Sequence, residues 1–127
     1  MVFGGPFTLG QGYLSGTILE AVLPVTVRVA RDVYQLPAPL ALGAQPGVPF
    51  PGQPSLYYYH AVTPRPAARP LLFAGDLPIA YEHPAGLGTA VVFAGTPLGE
   101  PTPEAPLPFW QAPAWPAAAA KLILGAR

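Results

Sequence analysis

The sequence predicts an α/β fold: a layered sheet with helical cover. Three observations predict it. Ala90–Ala94, AVVFA, is apolar without alternation, as in a strand covered on both faces. Around it, Arg69–Gly99 reads as three short strands in close succession. Trp115–Arg127 then reads as a closing helix, with Pro116 in the first turn and four alanines as strong helix formers. Its apolar face, Trp115, Ala119, Leu122 and Ile123, is placed over the AVVFA strand.

Composition narrows the function. The 127 residues are enough for one domain with a real core. Charged residues are 9% of the chain, far below the usual quarter, and six basic side chains balance six acidic ones. No basic field exists to hold a phosphate backbone, so nucleic acid is not an expected partner. A neutral, apolar surface points to covered or adhesive faces. There is no cysteine, hence no disulfide, thiolate metal site or Cys nucleophile. No basic segment leads into an apolar signal region, and no apolar run approaches the ~18 residues of a membrane helix. The cytoplasm is the default location. The 20 prolines fall between apolar runs and act as punctuation.

In chain order, Met1-Val2-Phe3 reads as the end of an apolar strand, broken at once by Gly4-Gly5-Pro6. Such an opening suggests an upstream portion that exists elsewhere or was lost from this chain. Gly4–Gly16 is a glycine-rich loop. Thr17 and Glu20 form a capping box for a short helix through Leu23, stopped by Pro24. Strand, glycine loop and helix start could hold an anion. The phosphate motifs themselves fail: Gln11 and Gly12 stand where a P-loop needs Lys and Ser or Thr, and Ser15 stands where the dinucleotide motif begun by Gly10 and Gly12 needs a third glycine. A tight structural loop is the simpler reading. Gly10, Gly12 and Ser15 are kept as candidate ligand-binding residues.

Val25–Val33 alternates Val25, Val27 and Val29 against Thr26, Arg28 and Ala30, as a half-buried strand does. Tyr34–Ser55, with six prolines, reads as a long surface loop. Leu56–Val62 is the next strand, with Tyr57 and Tyr59 on one face and Tyr58 and His60 on the other. Flat tyrosine faces suit a sugar or peptide, so Tyr58 and His60 join the candidates. In the three-strand stretch, Leu71–Ala74 turns at Gly75-Asp76, and Pro78–His83 alternates before the Pro84–Gly88 turn. His83 is the last candidate. Thr96–Pro113 is a second proline-rich loop carrying Glu100, Glu104 and the apolar pair Phe109-Trp110.

These pieces resemble a family. GGPFTLGQGYLSGTILEAVLPV, then YYYHAVTPRPAARPLLFAGDLPIAYEHPAGLGTAVVFAGTPLG, then FW…W before the last helix resemble, in that order, divergent class I glutamine amidotransferase-like domains. The resemblance spans nearly the whole chain but only the C-terminal part of such a domain. It implies a flavodoxin-like three-layer α/β sandwich, incomplete here, with several β-hairpin strands, and residues 1–127 as one partial domain. An active amidotransferase adds a Cys nucleophile with a His-x-Glu pair. This chain has no Cys, and Glu82 directly precedes His83. On a strand those two face opposite ways. No activity and no catalytic residue carries over.

Other chemistry is sparse. His60 and His83 lack zinc-ligand spacing, so no metal and no cofactor is expected. Thr8 and Ser15 are possible nucleophiles, Ser15 with His60 or His83 as base; Asp76 and Glu82 are a possible acid–base pair. The leading expectation is a non-catalytic binding or assembly domain. The alternatives are a hydrolase with a non-Cys nucleophile completed by residues outside the chain, and a structural oligomerisation module. The expected partner is a second copy, or a separately encoded first half that covers an open sheet edge.

Overall fold

Hairpins organise the chain. The structure is a computed structural model that describes residues 1–28 and 31–124. The three strands of the central stretch are β6 (Arg69–Ala74), β7 (Leu77–Ala85) and β8 (Gly88–Phe93). Ala74 pairs with Leu77 and Ala85 with Gly88, so only Gly75-Asp76 and Gly86-Leu87 lie between the strands. Gly75 and Gly86 take φ of 58° and 59°, which such tight hairpins require.

The remaining strands are β1 (Val2–Phe3), β2 (Val25–Val27), β3 (Val33–Gly43), β4 (Ser55–His60), β5 (Val62–Pro64) and β9 (Gly95–Thr96). One seven-stranded sheet runs β1-β8-β7-β6-β3-β4-β9, and β2 pairs with β5 in a small second sheet. Among the described strand pairs, β1–β8 alone is parallel. The sheet curls back on itself at Ala94, between β8 and β9. The Ala94 N–H donates to Ile79 of β7, and its carbonyl accepts from the His60 N–H of β4.

The chain is therefore mostly β, 42% strand against 14% helix, and the α/β expectation is overturned. A three-layer flavodoxin-like sandwich needs parallel strands joined by crossover helices. Here the helices are α1 (Ile18–Ala21) and α2 (Trp115–Leu124), and neither joins parallel neighbours. The AVVFA run misled because two different coverings bury its two faces. Val91 and Phe93 face a cluster with Leu42, Leu72 and Phe109, under α2. Val92 faces a second cluster with Leu9, Leu23, Val25 and Tyr81, built from the N-terminal loop and the small sheet. Double burial removes alternation whatever supplies the cover.

Two further expectations change. Tyr34–Ser55 is not all loop, since β3 occupies its first half. Pro37 and Pro39 fit there because the β3–β4 ladder shifts register between Gln35 and Leu40, where no amide is needed. On α2, Ile123 is 60% exposed, and the buried residue is Leu122. Trp115 still reaches the expected strand, its ring 5.0 Å from that of Phe93 and 4.7 Å from that of Phe109. Of the strand Val25–Val33, Val29 and Ala30 lie outside the described residues.

Candidate functional site

Two amides of the glycine-rich loop bond to a carboxyl group of the protein itself. Asp32, fully buried ahead of β3, accepts from the Gly10 N–H at 3.0 Å and the Gln11 N–H at 2.7 Å. Its Oδ2 also lies 2.8 Å from Nδ1 of buried His60, the last residue of β4. The other ring nitrogen, Nε2, lies 2.9 Å from the Gly5 carbonyl oxygen. Both ring nitrogens are thus within hydrogen-bond reach of an oxygen of the protein itself. The glycines are needed for closeness. A Cβ on Gly10 would stand 2.7 Å from Asp32 Cγ and closer still to the Arg28 carbonyl, and one on Gly12 would meet the backbone of Phe7 and Thr8. Buried Leu9, immediately before Gly10, takes φ of 49°, a strained angle that the packed loop maintains.

The other candidates scatter. Thr8 Oγ1 accepts from the Gly5 N–H and donates to the Gly5 carbonyl, which occupies it locally. Ser15 is half-buried in the loop, and neither imidazole bonds to it. His83 Nε2 sits at the surface, 2.9 Å from the Val22 carbonyl oxygen. Glu82 pairs across the strands with Arg69, whose Nε donates at 2.9 Å. Asp76 lies in the β6–β7 turn, away from Glu82, so these two carboxylates form no pair. Tyr58 is half-buried beside a polar hollow of about 740 Å³ with Gln35, Glu100 and Thr102. The six residues singled out from sequence thus do not converge. His60, Gly10 and Gly12 belong to one internal cluster; Ser15, Tyr58 and His83 stand apart from it.

Glu20 extends the tying of this segment. Its carboxylate accepts from the Val27 N–H at 2.8 Å and the Gly16 N–H at 2.6 Å. Those bonds, the Val27 one first, hold its carboxyl below the ordinary value, with a smaller contribution from Arg65 against a modest desolvation effect. Burial pushes the Tyr57 and Tyr81 phenols up. The Tyr57 hydroxyl donates to the Ala105 carbonyl at 2.7 Å.

A second feature lies on the opposite side of the core, between α2 and the sheet. It is a cavity of about 520 Å³ walled by Phe50, Pro54, Leu71, Leu72, Trp115 and Leu122. Ala114, Ala117 and Ala118 face it, and their short side chains leave the space open. Ala44 and Lys121 complete the lining.

Sequence reasoning missed Asp32 and the cavity. Asp32 is one of two aspartates in the chain and falls inside the stretch Val25–Val33 that reads as a strand, a signal that was available. The cavity had none, because it depends on how far α2 stands from β6. Among the described residues, no three His, Asp or Glu side chains gather as metal ligands, and no helix is long and apolar enough to cross a membrane.

No family model matches the chain, and no curated protein matches it. Solved structures do. The cytoplasmic protein STM3548 from Salmonella typhimurium superposes with a TM-score of 0.73 at 17% identity, over 96% of this chain and 52% of that one. The cytoplasmic protein STM1381 from Salmonella typhimurium LT2 gives 0.69 at 20% identity, over 96% and 52%. The chain spans about half the length of each. At these identities the likeness is one of fold.

Proposed function

We propose that this chain is a non-catalytic binding domain whose ligand occupies the cavity between α2 and the sheet. The carrying observation is the cavity itself: about 520 Å³, with a lining apolar except for one side chain. Small-molecule sites are concave, mostly apolar and roughly 300–1,000 Å³ in volume. Against a hydrolase, both nitrogens of His60 are spent inside the fold, and His83 bonds a backbone carbonyl at the surface. This reading no longer leans on the amidotransferase-like resemblance, whose sheet the chain lacks. We place the protein in the cytoplasm, in line with how two of its structural neighbours are described.

Titration with the neutral fluorophore N-phenyl-1-naphthylamine tests the cavity. Saturable binding at one site per chain is expected, weakened at least about tenfold by Ala118→Leu, which fills the space. Binding that does not saturate, or that Ala118→Leu leaves unchanged, overturns it.

A second reading, assembly, rests on a different observation. Phe7, Tyr13 and Ile18 are 83%, 72% and 90% exposed within the N-terminal segment. Large apolar side chains concentrated on one surface segment mark an interface, and a two-fold contact with a second copy is the commonest closure. Light scattering on an eluting size-exclusion peak tests it. A dimer that Ile18→Glu dissociates supports assembly; a monomer at every concentration refutes it.

A further inference from the structure

Resting on the cavity reading above, we infer that the ligand is an anionic amphiphile, a chain or ring of hydrocarbon ending in a carboxylate, with its head at Lys121. Lys121 is the one lysine in the sequence. It is exposed yet lines the cavity, so its stem belongs to the wall and its ammonium to the mouth. The remaining lining side chains are uncharged, and no carboxylate of the protein is among them. The mouth of an apolar cavity thus carries a single positive charge with no anionic lining residue opposing it.

The placement of Lys121 has one independent cause. It falls in the last turn of α2, where the helix's carbonyl end favours a cation. That explains a basic residue in the turn. It does not explain why the base is on the face turned to the cavity rather than at exposed Ile123 or Leu124 of the same turn. A ligand that buries hydrocarbon against Phe50, Leu71 and Trp115 while pairing its carboxylate with Lys121 satisfies both parts of the site. A cationic amphiphile would meet repulsion there, and a neutral one would leave the ammonium without a counter-charge.

Calorimetric titration with decanoate and with decan-1-ol, at fixed ionic strength, tests this. Both bind the wild type, decanoate about fivefold or more tighter, a size fitting a partly solvated ion pair. Lys121→Met keeps the apolar stem and removes the charge; it should equalise the two affinities. Lys121→Arg should restore the preference. Equal affinities in the wild type, or a preference that survives Lys121→Met, overturn the carboxylate assignment and leave the cavity standing. Binding of neither probe removes the cavity reading and this inference with it. Binding that Ala118→Leu does not weaken does the same.

Discussion

Asp32 and His60 meet in the core, Oδ2 to Nδ1 at 2.8 Å, with neither side chain open to solvent. They join the start of β3 to the end of β4 and, through Gly5, Gly10 and Gln11, fasten the N-terminal loop to both. A histidine and an aspartate in hydrogen-bond contact are also two parts of a nucleophilic triad. What differs is the far nitrogen. In a triad it faces a nucleophile; here it faces a backbone carbonyl. The pair is a clasp.

Breaking the clasp on one side should be costly. Asp32→Ala leaves a buried imidazole, the buried Gly10 amide and the part-buried Gln11 amide without their acceptor, and His60→Ala leaves the buried Asp32 carboxyl with its two amides alone. Each should cost about 3–5 kcal/mol in urea unfolding. The double variant should cost less than the sum of the two, because the groups share one network. Simple additivity would mean that they do not act together.

Gly10→Ala should destabilise by about 1–3 kcal/mol, as an added methyl must displace the Arg28 carbonyl or the Asp32 carboxylate. Gly16→Ala meets no atom within 4 Å. Its cost is conformational, about 1 kcal/mol, from a φ of 75°. Equal unfolding midpoints for the two would argue against the tight packing of Gly10 on Asp32.

Val92→Asp should prevent folding. Val92 is fully buried in the cluster that joins the N-terminal loop to the sheet. An unpaired carboxylate there costs several kcal/mol or must protonate. A soluble variant with a cooperative thermal transition would contradict the double covering of β8.

Glu20 sets an acid-side dependence. Its folded carboxyl titrates below the ordinary value of 4.5, mainly through the Val27 and Gly16 amides. A depressed folded value means that its contribution is present above the unfolded value and is lost as pH falls through the folded one. Glu20→Gln should therefore lose stability relative to wild type at neutral pH, and the gap should narrow on acidification. A gap that widens in acid would reverse the assignment.

The hairpins were legible because Gly75-Asp76 and Gly86-Leu87 announce their turns locally. The fold class was not. Burial of both faces of β8 reads the same whether helices or a folded loop supply the cover, and the sequence around Val92 carries no mark of which. β3 hid behind Pro37 and Pro39, which a register shift accommodates. The glycine loop read as a tight structural loop, but its partner Asp32 was not legible, because only the folding of β3 beside β4 brings it to Gly10 and Gln11. The cavity depends on Ala117 and Ala118 facing Leu71 and Leu72 across a gap, a relationship absent from either segment alone.

The central claim is that this domain binds its ligand under α2 and uses its histidine–aspartate pair to hold itself together. The most direct measurement is anomalous diffraction from crystals grown with 10-bromodecanoate. The account predicts bromine density between α2 and β6, with the carboxylate at Lys121 and the Asp32–His60 contact undisturbed. Bromine density beside Tyr58 in the polar hollow, or a carboxylate displacing Asp32 from the Gly10 and Gln11 amides, would contradict it.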